Sequence, residues 1–236
     1  MDSGIGGLAF VDLCHKNVDC DIVFVMDNAF CPYGEKSPDI IKARMQKICE
    51  FLVDEKSVCA IVVACNTATS VAIDSLRKKI SIPIIGMEPP IKMAVDEGKK
   101  NIIVVSTPVT NKFCKVIKKY EKEAMLVSFS NLAKEIEDNF FLLDSLSEYI
   151  KKGFCGVGTK GCDAVVLGCS HFQFVEKQIR EVFEGDVEFF HSEYGVLKRL
   201  VQILGKTKCD EHGKIAIFQT QYDESLLKIA KEILCR

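Results

Sequence analysis

The sequence predicts an α/β fold of two pseudo-symmetric domains, each a mainly parallel sheet flanked by helices, with the active site in the cleft between them. Short, apolar, β-branched runs alternate with stretches of helical spacing, which is typical of a parallel sheet covered by helices. A shift of 104 residues (169 − 65) also lays "AIVVACNTATS" (60–70) on "AVVLGCSHFQF" (164–174). This register aligns Cys65 with Cys169 and indicates an internal duplication.

Strands are predicted at the β-branched runs, and helices where apolar residues recur every three or four positions. In chain order, the predicted strands are 22–26, 60–64, 82–85, 102–105, 164–167 and 215–218. The predicted helices are 39–53, 68–80, 111–120, 132–151, 172–183 and 223–234. Ligands of such folds bind at the carboxyl ends of the strands, where Cys65 and Cys169 are expected.

The domain boundaries follow from the same register. The proline pair in "GMEPPIK" (86–92) predicts a crossover between domains, which gives a first domain of 1–90 plus about 205–236 and a second of 91–204. Strand 215–218 has no counterpart and is expected to return to the first domain. Ser106 follows "NIIVV", whereas its counterpart Asp2 follows only Met1. A central strand of the first domain is therefore either absent or upstream of Met1.

Composition excludes several classes of function. The 236 residues carry a net charge of −2 without a basic cluster, so no nucleic-acid partner is expected. The apolar runs are shorter than the ~20 residues that span a bilayer, and the N-terminus lacks the basic region of a signal peptide, so no membrane partner is expected. The twelve cysteines are predicted to be reduced, and without a C-x-x-C pair they do not predict zinc.

Two facing cysteines can invert a stereocentre. A thiol beside a helix N-terminus is expected to have its thiolate form favoured. One thiolate removes a proton from a substrate carbon, and a thiol on the opposite face delivers another, without metal or cofactor. The residues that follow, Asn66-Thr67 and Ser170-His171, supply donors for a carboxylate or amine. Spacing alone leaves open that both cysteines are packing residues and that "DSGIGG" is a plain glycine turn.

Several motifs resemble those of the glutamate racemases, in the right order over essentially the whole chain. They are "DSGIGG" (2–7), "PYGEKS" (32–37), "ACNTATS" (64–70), "IGMEP" (85–89), "LGCSH" (167–171) and the closing "FQTQYDESLLKIAKEIL". The resemblance implies a cytoplasmic, cofactor-independent, usually dimeric enzyme that interconverts L- and D-glutamate and supplies D-glutamate for peptidoglycan.

The resemblance also implies roles for residues at matching positions, with no metal site. The catalytic residues would be Cys65, Cys169, Asp2 and His171. The substrate-binding residues would be Ser3, Pro32, Tyr33, Gly34, Asn66, Thr67, Thr107, Thr110 and Ser170.

Some positions depart from the family pattern. Phe172 and Gln173 stand where the family usually has Tyr-Pro, and Glu135 is the nearest candidate for a family glutamate in the second-domain part of the cleft. Two alternatives remain at this point. One is a racemase of another acidic amino acid, chiefly aspartate, and the other is a non-catalytic descendant that binds an amino acid or a protein partner.

Overall fold

A computed structural model describes residues 1–205 and 213–235 and shows an α/β fold of parallel sheets flanked by helices, as predicted. Residues 206–212 and 236, all within the predicted first domain, lie outside the described residues. The strands are β1 (Ile22–Met26), β2 (Ile61–Val63), β3 (Ile84–Gly86), β4 (Ile102–Ser106), β5 (Ala124–Ser128), β6 (Ala164–Gly168), β7 (Glu188–Phe190) and β8 (Ile215–Gln219).

The helices cover the faces of these sheets. They are α1 (Leu8–Asn17), α2 (Pro38–Asp54), α3 (Asn66–Lys79), α4 (Ile91–Asp96), α5 (Pro108–Phe113), α6 (Lys115–Lys119), α7 (Leu132–Asp138), α8 (Ser147–Gly153), α9 (Glu176–Arg180), α10 (Glu193–Leu204) and α11 (Glu224–Leu234). Over the described residues, none of them combines the length and the apolar character that crossing a membrane requires.

The second half of the chain forms a four-stranded parallel sheet in the order β5-β4-β6-β7. Every residue of β4 and β6 is buried. Continuous apolar strands are expected in a parallel sheet with both faces covered, because neither face meets water. The β-branched runs that identify these two strands in the sequence reflect this burial.

The remaining four strands form two parallel pairs, β1 with β8 from the end of the chain and β2 with β3. Met1 and Asp2 lie between the two pairs and join them by backbone hydrogen bonds. These run from Met1 N to Val62 O (3.0 Å), Ala64 N to Met1 O (3.0 Å), Asp2 N to Val25 O (3.1 Å) and Asp27 N to Asp2 O (2.9 Å). The resulting order β1-(Met1–Asp2)-β2-β3 matches β5-β4-β6-β7, and β8 extends the first sheet beyond β1.

Several elements differ from the sequence prediction. Strands β5 and β7 and helices α1, α4 and α10 are additional to it. The predicted helix 111–120 divides at Cys114, whose backbone is extended (φ −67°, ψ 120°). The predicted helix 132–151 is interrupted by the 3₁₀ segment Phe140–Leu146, in which Leu142 is non-helical. Apolar spacing is the same in a continuous and an interrupted helix, so the pattern does not locate these breaks.

Candidate active site

Cys65 follows β2 by two residues and caps the N-terminus of α3. Its Sγ accepts a hydrogen bond from the Ala68 N–H at 3.5 Å, and the residue is 6 % exposed. The expectation of a favoured thiolate is wrong for this cysteine. Burial raises the pKa of the Cys65 thiol well above its usual value, and the charge of Asp2 raises it further. The Ala68 N–H lowers the pKa, but this effect is smaller than that of burial.

Cys169 directly follows β6 and is 9 % exposed. The predicted helix 172–183 starts as a short 3₁₀ segment, Phe172–Val175, and becomes α-helical as α9 only at Glu176. In the turn after Cys169, Ser170 donates to Asp2, in the first half of the chain, and His171 contacts Glu137 of α7. Cys169 lies close enough to His171 and to Cys65 to act on the pKa of each, and it raises both. The structure therefore brings the two cysteines into one buried site.

Asp2 connects the first loop to the turn after Cys169. The carboxylate is fully buried; Oδ2 accepts from Ser170 Oγ at 2.7 Å, and Oδ1 accepts from the Ser3 backbone N–H at 2.6 Å. The hydroxyl of Ser3 lies 3.3 Å from the same Oδ1. Asp2 and Ser170 are 168 residues apart in sequence, so this contact joins the two halves of the chain at the site.

His171 is held by a glutamate that the sequence analysis did not identify. Its Nε2 lies 2.9 Å from Oε1 of Glu137, which also accepts from the Ile5 N–H at 2.8 Å. Burial alone lowers the pKa of His171, but hydrogen bonds to Cys169, Cys31 and Glu137 raise it well above its usual value. Burial likewise acts to raise the pKa of Glu137, and the interactions with His171 outweigh it and lower the pKa below its usual value.

The glutamate of this site is thus Glu137 and not Glu135, the nearest candidate in the sequence. Glu137 lies four residues after the buried Ala133 and so shares its face of α7. Glu135, two residues earlier, lies on a different face and hydrogen-bonds Asn139. Helical phase does not distinguish the two in the sequence, because Glu135 follows the buried Leu132 by three residues and Glu137 follows the buried Ala133 by four.

Cys31 completes the group around Glu137. Its thiol donates to Glu137 Oε2 at 3.4 Å, and burial raises the pKa of Cys31 to about 11, so it is a neutral donor at neutral pH. Ligand atoms of Cys31, Glu137 and His171 all lie within 4.8 Å of one another, which makes them the set within 1–205 and 213–235 that could hold a metal ion. The hydrogen bonds among the three residues already account for this compact arrangement.

Glycines let the first loop approach these side chains closely. A Cβ on Gly6 would collide with Ser170 Oγ and with the His171 ring, and a Cβ on Gly4 would collide with Glu137 Oε1. "DSGIGG" is therefore more than a plain turn, because its glycines bring the loop backbone against Ser170, His171 and Glu137.

Three threonines form a second polar group that connects the two halves. The Oγ1 atoms of Thr67, Thr107 and Thr110 lie 3.0 Å from one another in each pair. Thr67 is in the first turn of α3, two residues after Cys65, and Thr107 caps α5. Gly34 packs on Thr107, where a Cβ would lie 3.1 Å from the threonine Cβ. The structure thus gathers these four predicted binding residues.

Tyr33 and Asn66 are turned to structural partners. Tyr33 follows the buried Pro32, and its hydroxyl donates to Asp27 Oδ2 at 2.5 Å. Burial raises the pKa of the Tyr33 hydroxyl, and the charge of Asp27 raises it further. The Asn66 side chain donates to the Met87 carbonyl at 3.1 Å. Tyr33 and Asn66 therefore offer a ligand their backbone groups and not the ends of their side chains.

Phe172 replaces the usual tyrosine and lies in the core. The side chain is fully buried, and its ring packs edge-on against Phe129 with 6.1 Å between centroids. Gln173 donates to the Ser170 carbonyl at 2.7 Å and steadies the same turn.

Comparison with known proteins agrees with this geometry. The Asp/Glu/Hydantoin racemase family matches residues 9–192. The glutamate racemase of Clostridium kluyveri is 34 % identical over 99 % of this chain and 95 % of its own. The structure of glutamate racemase from Campylobacter jejuni subsp. jejuni has a TM-score of 0.86 at 25 % identity, covering 99 % of this chain and 96 % of that one.

A structure of the Escherichia coli glutamate racemase, in complex with L-glutamate and the activator UDP-MurNAc-ala, has a TM-score of 0.83 at 25 % identity. It covers 98 % of this chain and 92 % of its own. Full-length similarity in sequence and fold, with two cysteines in one buried site, shows that this chain belongs to the Asp/Glu/Hydantoin racemase family.

Proposed function

We propose that this protein is a glutamate racemase that uses Cys65 and Cys169 as its two proton-transfer residues. The observation that carries the proposal is the placement of both cysteines in one buried site, each with its own acid–base neighbour. Asp2 raises the pKa of Cys65, and His171, which follows Cys169 by two residues, interacts with it. The relatives named above, which are glutamate racemases, support the choice of substrate.

The reaction exchanges one C–H bond for another. One cysteine thiolate takes the α-proton, so the Cα–H bond breaks, an S–H bond forms and the electron pair is delocalised into the α-carboxylate. The thiol on the opposite face then gives its proton to Cα, and its own S–H bond breaks. Because burial and Asp2 disfavour the Cys65 thiolate, this anion is a strong base when it forms.

Neutral donors would hold the substrate carboxylates. The proposed donors are the side chains of Ser3, Thr67, Thr107, Thr110 and Ser170 and the backbone N–H groups of Tyr33, Gly34 and Asn66, and Pro32, which has no N–H, would shape the loop. Positive charge at the α-carboxylate would stabilise the ground state as well as the transition state, and such uniform binding does not raise kcat.

We further propose a cytoplasmic homodimer, without a cofactor or a nucleic-acid or membrane partner, that supplies D-glutamate for peptidoglycan. The predicted domain boundaries belong to this proposal.

Deuterium transfer tests the function. With L-glutamate in heavy water, the protein is expected to form D-glutamate carrying deuterium at Cα. Cys65→Ser and Cys169→Ser should each lower racemisation by at least ~10²-fold, because a hydroxyl is a far weaker base than a thiolate. Each variant should retain α-proton exchange with only one enantiomer, the one whose α-proton faces the remaining cysteine.

Cys155→Ser is the matched control, because Cys155 is an exposed free cysteine and should be dispensable. Faster turnover of aspartate than of glutamate would contradict the substrate but not the mechanism. Binding of D-glutamate without α-deuterium exchange would contradict catalysis and favour a non-catalytic descendant.

A further inference from the structure

The proposed reaction gives the thiol of Cys31 no role, although this thiol lies beside two charged residues of the site. Its Sγ is 3.4 Å from Oε2 of Glu137, and Nε2 of His171 is 2.9 Å from the other carboxylate oxygen, Oε1. One ligand atom from each of the three residues lies within 4.8 Å of the other two. We call these residues the Cys31 group. They are 106 and 34 residues apart in sequence, so no local spacing predicts the group.

The chemistry of the Cys31 group suits zinc. A thiolate, an imidazole and a carboxylate are all ligands that Zn²⁺ takes in proteins, whereas Ca²⁺ and Mg²⁺ prefer oxygen ligands. Zn–S bonds are about 2.3 Å and Zn–N and Zn–O bonds about 2.0–2.1 Å, so a tetrahedral site holds its ligand atoms ~3.3–3.6 Å apart. The observed 2.9 and 3.4 Å are shorter by a few tenths of an ångström. Small side-chain rotations therefore open the centre of the group to a metal ion.

The imidazole and the carboxylate are already oriented by outer partners. Oε1 of Glu137 accepts from the Ile5 N–H at 2.8 Å. On the other ring nitrogen of His171, Nδ1 lies 3.5 Å from Ser170 Oγ, which in turn donates to Asp2. Metal sites in proteins commonly have such outer hydrogen bonds, because they fix the direction in which each ligand points.

An ion can reach the Cys31 group from the side of Cys31 and Glu137. Both residues are partly exposed, whereas His171 is buried beneath them. A Cβ on Gly4 would collide with Glu137 Oε1 and lie 3.0 Å from Cys31 Sγ, so this glycine leaves the space between the two ligands free. The partly exposed side also leaves the fourth tetrahedral position to a water molecule.

We propose that Cys31, Glu137 and His171 form a reversible binding site for one Zn²⁺ ion. On binding, the S–H bond of Cys31 breaks, the proton on His171 Nε2 also leaves to solvent, and bonds form from the metal to sulfur, nitrogen and carboxylate oxygen. Zn²⁺ with one thiolate and one carboxylate has no net charge, so no uncompensated charge is buried. Because hydrogen bonds hold the three residues together without the metal, the ion is exchangeable and the fold does not require it.

The bound ion would block catalysis, a consequence that rests on the proposed function. His171 follows Cys169 by two residues and interacts with it. Zn²⁺ on Nε2 would keep His171 unprotonated and take Glu137 as its own ligand, so Cys169 would lose its acid–base neighbour. Zinc is therefore expected to inhibit racemisation, and a chelator is expected to restore it.

Cobalt absorption of the full chain tests the site without relying on activity. Co²⁺ replaces Zn²⁺ at sites of this kind, and its bond to a thiolate absorbs in the near ultraviolet. One equivalent of Co²⁺ should produce this absorption in the wild type, and Cys31→Ser should abolish it. The Zn²⁺ affinity of Cys31→Ser, measured by competition with a chelating dye, should fall at least ~10-fold. Cys155→Ser, at an exposed free cysteine, is the matched control and should keep both properties.

The two catalytic cysteines are the competing ligands. Cys65→Ser and Cys169→Ser should keep the cobalt absorption. Its loss in either variant, or its persistence in Cys31→Ser, would overturn the proposal, because the metal would then lie on other thiols. Glu137→Gln is a second variant in case Cys31→Ser does not fold, and it should keep the thiolate absorption while its affinity falls at least ~10-fold. An unchanged affinity in Glu137→Gln would also overturn the proposal.

Racemisation in the presence of Zn²⁺ tests the consequence. Relative to its own metal-free activity, Cys31→Ser should need at least ~10-fold more Zn²⁺ than the wild type for the same loss. Equal zinc sensitivity would show that zinc does not act through the Cys31 group. A protein that binds Co²⁺ through Cys31 without racemising glutamate would support the metal site and contradict the proposed function. An active racemase without the absorption that depends on Cys31 would contradict the metal site alone.

Discussion

At the scale of single residues, the site buries an acidic and a basic side chain next to the two thiols. Asp2 is fully buried beside Cys65, and His171 is 2 % exposed beside Cys169. In such surroundings a single charge changes a neighbouring pKa more than it would at the surface, because the effective dielectric constant is low. The chemistry of each cysteine is therefore set by the residue next to it.

The Glu137–His171 pair gives a prediction about stability and pH. The pKa of His171 is raised in the folded protein, so its contribution to stability is full below the unfolded pKa of ~6.5 and is lost as the pH rises through the higher folded pKa. Glu137 has a lowered pKa, so its contribution requires a pH above ~4.3. Glu137→Gln should therefore cost about 2 kcal/mol near pH 6.

Urea unfolding at pH 6 and at increasing pH measures this effect, and the cost should shrink as His171 loses its proton. Glu135→Gln is the control on the same helix and should change the free energy of unfolding by less than ~0.5 kcal/mol. A cost for Glu137→Gln that stays constant up to alkaline pH would show that the pair is not ionised in the folded protein.

At the scale of elements, a buried ion pair holds the loop of the "PYGEKS" motif on α2. Arg44 of α2 donates from Nε and from its terminal nitrogen to the two oxygens of Asp27, at 3.0 and 2.6 Å. Asp27 is fully buried and also accepts the Tyr33 hydroxyl. The Arg44 side chain stacks over the Phe30 ring, with 4.3 Å to the ring centroid. The position of Gly34 against Thr107 depends on this anchoring.

Arg44→Met should therefore destabilise the protein by roughly 3 kcal/mol, because it leaves the Asp27 carboxylate buried without its cation. KM for the substrate should rise more than kcat falls, since the loop that packs on the threonine cluster loses its support. Urea unfolding and steady-state kinetics measure the two effects. Lys42→Met, at an exposed position of the same helix, is the control. If both substitutions lowered the free energy of unfolding equally, the charge of the helix and not the ion pair would be the cause.

The elements also show what the sequence can and cannot predict. Buried strands such as β4 and β6 are recognisable because both of their faces are covered, so every position is apolar. The 104-residue register identified Cys65 and Cys169 because equivalent strands end at equivalent places. Glu137 is not predictable from the local sequence, because its partner His171 is 34 residues away and Glu135 and Glu137 both lie three or four residues after a buried residue of α7. The raised pKa of Cys65 depends on burial and on Asp2, which no local pattern contains.

At the scale of the whole molecule, one hydrophobic cluster spans both halves of the chain. It contains Leu8 of α1 and Phe24 of β1 together with Val165 of β6, Ile136 of α7 and Ile229 of α11. Buried side chains from both sheets therefore share one core, in addition to the polar contacts between Asp2 and Ser170. Neither half can lose its packing without exposing apolar surface of the other, so the described residues should unfold together.

Calorimetry of Leu8→Ala tests this coupling, because Leu8 is fully buried in the shared cluster. The substitution should cost about 2–5 kcal/mol, the usual range for a buried leucine, and lower the melting temperature of a transition that remains single. Leu142→Ala is the control at a leucine that is 70 % exposed and should change stability by less than ~0.5 kcal/mol. We expect the calorimetric enthalpy to equal the van't Hoff enthalpy in both variants. Two separate transitions, with only one of them shifted by Leu8→Ala, would instead show that each half folds around a core of its own.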